Sequence, residues 1–182
     1  MKKYYMQRAG RLPRAAVVAS LLWSILLSPG SLRAERQSGQ GWELLAVAYP
    51  ADREVVVELG GAARTLAAKG LAKVKWHDKA AAMELEIEGL PAPAEAGFAG
   101  TQYVLWAVDN DKRAVNLGLV PGSGKQAKWK LQGPFRIFGL LVTAEKNPQA
   151  SAPSNDVALE SLLPTDPNLV VPVFRVDLQL AP

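Results

Sequence analysis

The sequence predicts an all-β fold: an antiparallel, immunoglobulin-like β-sandwich of seven or more strands, preceded by an N-terminal signal helix. Short segments in which apolar and polar residues alternate follow one another after residue 41, and clusters of Gly, Pro, Asn and Asp separate them. The chain beyond residue 34 has no segment with convincing helical periodicity. It contains no cysteine, so the core must form without disulfides. A barrel is the alternative closure of such strands.

The first 34 residues have the pattern of a secretory signal peptide. Five basic residues and no acidic residue precede an apolar run from Ala15 to Leu27, and a helix-breaking Ser-Pro-Gly follows. The run is shorter than the roughly 20 apolar residues of a membrane-spanning helix. We predict cleavage after Ala34 and a periplasmic or secreted mature protein. An uncleaved segment that anchors the protein in the membrane is the alternative.

Export changes the charge of the chain. The predicted signal peptide carries six of the 21 Lys and Arg residues and none of the 17 Asp and Glu residues, which leaves the mature chain with a net charge of −2. The basic character of the full sequence therefore arises largely from the signal peptide. A nucleic-acid partner is not expected, because the mature chain lacks the excess of positive charge that such partners require.

The mature chain is predicted to have three parts. Residues 35–41 are polar and form a flexible lead-in, residues 42–163 form the β-sandwich domain, and residues 164–182 form a linker with a C-terminal strand. The linker is rich in proline, which favours an extended connection over a regular element.

Four strands are predicted in the first half of the domain: Trp42–Tyr49, Glu54–Leu59, Ala72–His77 and Met83–Glu88. The segment Ala62–Lys69 suits a weak strand or a loop. The third strand carries lysines on its polar face and the fourth carries glutamates, so a hairpin between them places a lysine row beside a glutamate row. An exposed charged face is the simplest interpretation of both rows.

Five strands are predicted in the second half: Gln102–Val108, Arg113–Val120, a segment around Trp129, Phe135–Ala144 and Val157–Leu163. The fourth of these is the most continuous apolar run of the mature chain, which predicts a central strand covered on both faces, with Gly139 as the bulge position. Residues 89–100 and 145–155 are rich in turn formers and are expected to be loops.

The chain ends in an amphipathic strand. Apolar residues from Phe174 to Leu180 alternate with polar residues after Pro172. Such a strand either docks on the edge of its own sheet or is offered to a partner.

No catalytic, cofactor or metal site is predicted. His77 is the only imidazole, so any His-based triad must include it, and the G-x-S-x-G motif of a nucleophilic serine does not occur. We expect His77 to be an exposed turn residue. The stretch Asp109–Asp111 offers oxygen ligands but lacks the spacing of a calcium loop, which favours a hairpin turn.

The carboxylates of the chain leave an alternative open. Glu84, Glu86 and Glu88 are explained by facing lysines, whereas Glu145 and Glu160 lie beside predicted loops. A small periplasmic hydrolase that uses His77 or a carboxylate pair including Glu145 is therefore the second alternative to a non-enzyme.

The tryptophans of the mature chain are interpreted as core residues. Trp76, Trp106 and Trp129 are each in phase with the apolar residues of a predicted strand. An exposed row of tryptophans would instead indicate a carbohydrate or cell-wall binding module, which is the first alternative function.

Three short motifs resemble a known family. They are Glu88-Gly89-Leu90-Pro91, then Tyr103-Val104-Leu105-Trp106 before a polar turn, and Val142-Thr143-Ala144-Glu145 before a loop that contains Pro148 and Pro153. In order and spacing, residues 62–162 resemble the extracytoplasmic C-terminal domain of anti-sigma-K factors. The cytoplasmic zinc-finger domain of that family has no counterpart in the first 34 residues. The resemblance implies a β-sandwich outside the cytoplasm and no catalytic residues.

These observations predict an exported, non-enzymatic interaction or sensor module that contacts an unknown envelope protein. Membrane contact is expected only through the signal segment, if it stays uncleaved. The predicted contact surfaces are residues 91–100, residues 146–155 and the C-terminal strand. The candidate partner-binding residues in them are Phe98, Pro148, Pro153, Phe174, Val176, Leu178 and Leu180.

Overall fold

The computed structural model describes residues 41–122, 126–164, 166 and 169–181. The predicted signal peptide and the lead-in before Gly41 lie outside the described residues. All regular elements in the described part of the chain are β-strands, and ten of them are present. The all-β prediction is confirmed.

The ten strands correspond one to one to the strand segments predicted from the sequence. They are β1 (Trp42–Ala48), β2 (Glu54–Gly61), β3 (Lys69–His77), β4 (Ala80–Glu88), β5 (Gln102–Asp109), β6 (Ala114–Leu119), β7 (Ala127–Gly133), β8 (Ile137–Glu145), β9 (Val157–Ser161) and β10 (Val173–Leu178). The ambiguous segment before β3 is a loop of short turns.

All ladders are antiparallel and join the strands into one sheet. The sheet runs in the order β10-β1-β8-β9-β2-β3-β4-β7, with β5 and then β6 extending from the other edge of β8. Strands β6 and β7 approach each other without forming a ladder, so the sheet is nearly closed and barrel-like. The antiparallel all-β part of the prediction is thus confirmed, and the single sheet lies closer to the barrel alternative.

Strand β8 occupies the centre and changes partner along one edge. Its other edge pairs with β5 over its whole length, from Phe138 to Glu145. Strands β1 and β9 share the edge opposite β5: Phe138 pairs with β1, whereas the segment from Leu141 to Thr143 pairs with β9. Strands β1 and β10 therefore branch away from the barrel-like part of the sheet at the middle of β8.

Two apolar clusters cover the two faces of β5 and β8. Along β5, Leu105 and Ala107 belong to the larger cluster, whereas Val104, Trp106 and Val108 belong to the smaller one. Strands covered on both faces must be apolar at every position, which explains the continuous apolar run in each. The prediction of a central strand covered on both faces is confirmed for β8.

The predicted bulge at Gly139 is wrong. Register shifts in the β8 ladder instead between Val142 and Thr143. Gly139 lies where β8 changes partner, and a Cβ built there would be 2.3 Å from the carbonyl oxygen of Leu45. The Ser161 hydroxyl bridges the same position, accepting from the Leu140 N–H (3.1 Å) and donating to the Leu45 carbonyl (3.0 Å). The glycine is required by this close approach.

The predicted lysine and glutamate rows face each other in the β3–β4 hairpin, where Lys73 lies opposite Glu84. The closest ion pairs of the glutamate row, however, reach the other neighbour, β7. The Lys128 Nζ atom is 2.8 Å from Glu84 Oε1, and the Lys130 Nζ atom is 3.7 Å from Glu84 Oε2. The hydrogen bond from Lys128 lowers the pKa of Glu84 below its usual value. The glutamate row therefore lies between two lysine rows.

Candidate interaction surface

The outer edge of β10 is an unpaired sheet edge. Strand β10 pairs with β1 in a register that sets Val176 opposite Leu44, and within the described residues it has no ladder on its other side. One step beyond this register, the Ala48 N–H donates to the Pro172 carbonyl at 2.9 Å. Hydrogen-bonded pairs alternate along an antiparallel ladder. The backbone groups of Phe174 and Val176 therefore point at β1.

The intervening residues of β10 point their backbone groups away from the sheet. These residues are Val173, Arg175 and Asp177, each with one N–H and one carbonyl on the outer edge. Such an edge is a template for an added strand.

The side chains of β10 divide between anchoring and exposed groups. Val176 and Leu178 are buried in the smaller apolar cluster. Phe174 lies on the same face near the end of the ladder and is 39% exposed. Arg175 and Asp177 are exposed on the opposite face. The sequence left open whether this strand docks on its own sheet or serves a partner. The strand docks on β1, and no other described strand pairs with its second edge.

Backbone hydrogen bonds fix the segment after β10 to the loop between β8 and β9. The Ala181 N–H donates to the Pro153 carbonyl at 2.9 Å, and the Asn155 N–H donates to the Ala181 carbonyl at 3.0 Å. The edge strand is thus held at both ends, by Pro172 against β1 and by Ala181 against this loop. It presents its outer groups from a fixed position.

The seven predicted partner-binding residues differ in exposure. Phe98, Pro153, Val176 and Leu178 are buried, Pro148 and Leu180 are half-buried, and Phe174 is exposed. Four of the seven are therefore packed inside the fold, and Phe174 is the one whose side chain is most available to a partner.

The loop 91–100 packs onto the larger cluster through Phe98. Its ring meets Tyr103 edge-on at a centroid distance of 6.2 Å, and the Arg64 guanidinium lies 5.1 Å from the Phe98 centroid.

The Tyr103 hydroxyl is buried without a hydrogen-bond partner among the described residues. Burial, with a smaller contribution from the charge of Glu95, raises the pKa of Tyr103 to about 12. A shallow, open cavity lies beside it, lined by Pro93 and residues 101–103 among others.

Glu145 is buried, which corrects its assignment to an exposed loop. It ends β8 and is 6% exposed. The Trp106 indole donates to the Thr143 hydroxyl at 2.8 Å, this hydroxyl donates to Glu145, and the Ser154 N–H donates to Glu145 Oε1 at 2.8 Å. The carboxylate therefore links the core to the loop 146–156.

His77 is exposed at the end of β3, as expected for a turn histidine. Its Nδ1 atom is 2.5 Å from Asp52 Oδ1, and its Nε2 atom is 3.2 Å from Asp78 Oδ2. The hydrogen bond to Asp52 is the main reason that the pKa of His77 is raised, and the charges of Asp78 and Asp52 add to it. Both carboxylates belong to turn residues with positive φ, 57° for Asp52 and 53° for Asp78. The imidazole joins two turns.

Asp109 organises the β5–β6 hairpin, as the turn interpretation predicts. Its carboxylate is buried and accepts the backbone N–H groups of Asp111 (2.9 Å) and Arg113 (2.8 Å). The Arg113 side chain pairs with the same carboxylate at 2.6 Å. In the described part of the chain, no group of three or more His, Cys, Asp or Glu residues is arranged to hold a metal ion.

The described tryptophans pack against the two apolar clusters. Trp106 is fully buried, and Trp42, Trp76 and Trp129 are half-buried against one cluster or the other. The Trp42 indole also donates to Glu160 Oε2 at 2.6 Å. None of the four forms the exposed row that a carbohydrate-binding face would need.

Sequence reasoning missed Arg175 and Asp177 as candidates. Alternation correctly placed both on the polar face of the last strand, but it cannot indicate which backbone groups lie on a free edge. That property depends on the pairing with β1, a strand more than a hundred residues earlier.

Among the described residues, no helix has the length and apolarity needed to span a membrane. Comparisons with known protein families, with curated proteins and with solved structures found no match to this chain.

Proposed function

We propose that the protein is an exported, non-enzymatic β-module that acts by protein contact in the cell envelope, and that the outer edge of β10 is its contact surface. The observation that carries the proposal is the row of outward backbone groups at Val173, Arg175 and Asp177 on a strand fixed at both ends. Extended segments bind to such edges through main-chain hydrogen bonds, and side chains provide the specificity.

Two sequence features support the envelope location and the contact role. The first is the signal-peptide pattern of residues 1–34, and the second is the resemblance of residues 62–162 to the outer domain of anti-sigma-K factors. The immunoglobulin-like sandwich that this resemblance implies stays a prediction. The partner class that fits both features is a protein of the envelope.

The groups that a hydrolase would use are engaged in structural contacts. Glu145 accepts hydrogen bonds inside the fold, Asp109 holds a hairpin turn, and His77 lies between two turn carboxylates. These arrangements explain each residue without a reaction, which favours the contact module over the hydrolase alternative.

Site-specific photocrosslinking in producing cells tests the proposal. A photoreactive residue at position 175 of the full-length protein should give one dominant adduct with an envelope protein, identified by mass spectrometry. The same residue in place of Lys79, in the exposed turn of the β3–β4 hairpin, is the matched control and should not give that adduct. The mature N-terminus, read in the same experiment, should lie near Glu35.

Proline substitution tests whether the backbone edge itself makes the contact. With the photoreactive residue now at Asp177, Arg175→Pro removes an outward N–H but no hydrogen bond to β1, and it should abolish the adduct. Arg175→Ala keeps the N–H and should retain most of it. Thermal unfolding monitored by circular dichroism checks that both variants fold. An adduct that survives the proline, or no adduct from either edge position, would refute the proposed surface.

A further inference from the structure

We infer that the partner at this surface is a second copy of the chain, paired antiparallel along β10 with Arg175 of each copy opposite Asp177 of the other. The inference names the partner of the contact surface and therefore rests on the proposed function. Backbone geometry, charge and exposed apolar surface each support it.

The backbone allows only a few registers between two copies of β10. Residues that exchange both hydrogen bonds across a new ladder must point outward in both copies. In β10 these are Val173, Arg175 and Asp177. Two copies related by a two-fold axis can therefore slide only in steps that bring outward residues opposite each other.

Charge selects one of these registers. With Val176 at the two-fold axis, Arg175 lies opposite Asp177 of the second copy, and the same pair forms again on the other side of the axis. Sliding the second copy in one direction sets Arg175 opposite Arg175 of that copy. Sliding it in the other direction sets Asp177 opposite Asp177 of that copy. Like charges directly opposite destabilise a ladder, whereas opposite charges stabilise it.

The strand β1 adds a second electrostatic reason. Glu43 lies directly opposite Asp177 in the β1–β10 ladder, and both side chains are exposed. This places two carboxylates side by side on adjacent strands. The guanidinium of Arg175 from a second copy would lie on the open side of Asp177, where a positive charge offsets this repulsion.

The same register covers the exposed apolar residue of the strand. Phe174 lies opposite Leu178 of the second copy, on the face that carries the smaller apolar cluster. Phe174 is 39% exposed, whereas Leu178 is 4% exposed. Pairing would extend the cluster across the axis and remove the Phe174 ring from water.

Reciprocal charge reversal tests the inference on the full-length protein, purified from producing cells with its native N-terminus. Sedimentation equilibrium should show a reversible dimer. Arg175→Asp and Asp177→Arg should each weaken the dimer about tenfold or more, because each reversal turns two attractive pairs into two repulsive ones. The double variant R175D/D177R should restore dimerisation.

Mixing the two single variants provides the sharpest control. A chain with Asp at both positions and a chain with Arg at both positions repel their own copies but complement each other. An equimolar mixture should therefore form a heterodimer, with an affinity near that of the unsubstituted protein. A substitution that merely unfolds β10 could not be rescued in this way.

Three outcomes would overturn the inference: a protein that stays monomeric up to millimolar concentration, a dimer insensitive to both reversals, or a mixture that does not associate. The results that would refute the proposed function differ from these three outcomes. If the protein is monomeric but position 175 still crosslinks to a different envelope protein in a proline-sensitive way, the contact surface stands and the second copy is excluded. If neither association occurs, both proposals fall.

Discussion

Gly139 shows at the scale of one residue how the centre of the sheet depends on a missing side chain. An added Cβ would lie 2.3 Å from the Leu45 carbonyl oxygen and 3.0 Å from the Ser161 hydroxyl, so Gly139→Ala must move backbone. We expect the free energy of unfolding to fall by about 1–3 kcal/mol, the usual effect of overpacking. Urea denaturation measures it, as a lower midpoint with an unchanged slope.

Gly60→Ala is the matched control for this prediction. The nearest atom to a Cβ at Gly60 is Cδ1 of Leu162, at 3.1 Å. Leu162 is 39% exposed and can rotate away, so the loss should be well below that of Gly139→Ala. Equal losses at both positions would show that backbone contact is not the reason for the glycine.

The Thr143 hydroxyl connects two buried polar groups, the Trp106 indole and the Glu145 carboxylate. Thr143→Val keeps the shape of the side chain but leaves both groups without this partner. We expect a loss of about 1–3 kcal/mol in the free energy of unfolding, because buried unsatisfied groups are unfavourable. Chemical denaturation should show it, whereas Thr101→Val, at an exposed position, should be nearly neutral. A neutral Thr143→Val would mean that the hydroxyl contributes no net stability.

At the scale of elements, His77 makes the contact between the β1–β2 turn and the β3–β4 hairpin depend on pH. Its pKa is raised in the folded protein, so the contact contributes stability that is fully present below the unfolded value of about 6.5. This contribution is lost as the pH rises through the folded value. An NMR titration of the single imidazole should therefore give a pKa above 6.5.

The two carboxylates should affect this titration unequally. Asp52→Asn removes the hydrogen bond that is the largest cause of the shift and should lower the pKa more than Asp78→Asn. The repulsion from Lys75 acts in the opposite direction, so Lys75→Gln should raise it. An imidazole pKa at the ordinary value in the unsubstituted protein would mean that the contact does not persist in solution.

Strand pairing over long sequence distances explains what the sequence could not predict about the elements. Alternation, continuous apolar runs and turn residues together predicted all ten strands and the β3–β4 hairpin, because these are local properties of the sequence. They did not predict that the lysines of β7 would lie closest to Glu84, since β7 joins β4 across the whole of β5 and β6. The buried position of Glu145 was not predicted either, because its partner Ser154 lies within the turn-rich loop that follows β8, and the fold of that loop has no signal in periodicity.

At the scale of the whole molecule, the sequence predicts the all-β class better than the arrangement of the sheet. A two-faced apolar strand was recognisable from the continuous run in β8. The change of partner at Gly139, which sends β1 and β10 away from the barrel-like part, has no signal in periodicity. The free edge of β10 follows from that branching, and so the candidate surface could be placed on the right strand but not on its edge.

Amide hydrogen exchange should report this architecture as a gradient of protection. Strand β8 pairs on both edges and is covered on both faces, whereas β7 pairs with β4 alone among the described strands and alternates between half-buried and exposed residues up to Gln132. We expect the β8 amides to exchange only through global unfolding and those of β7 to exchange through local opening. Low concentrations of denaturant should therefore accelerate exchange in β8 more steeply. A single protection level across both strands would contradict the branched topology.

Amide hydrogen exchange of the outward N–H groups of β10 also tests the contact surface. In a monomer, the amides of Arg175 and Asp177 face solvent and should exchange orders of magnitude faster than the amide of Val176, which points at β1. In the self-paired dimer all three amides are hydrogen-bonded, so the alternation should disappear at high protein concentration. Arg175→Asp should bring it back. Persistent alternation in a protein that sediments as a dimer would place the dimer contact elsewhere on the molecule.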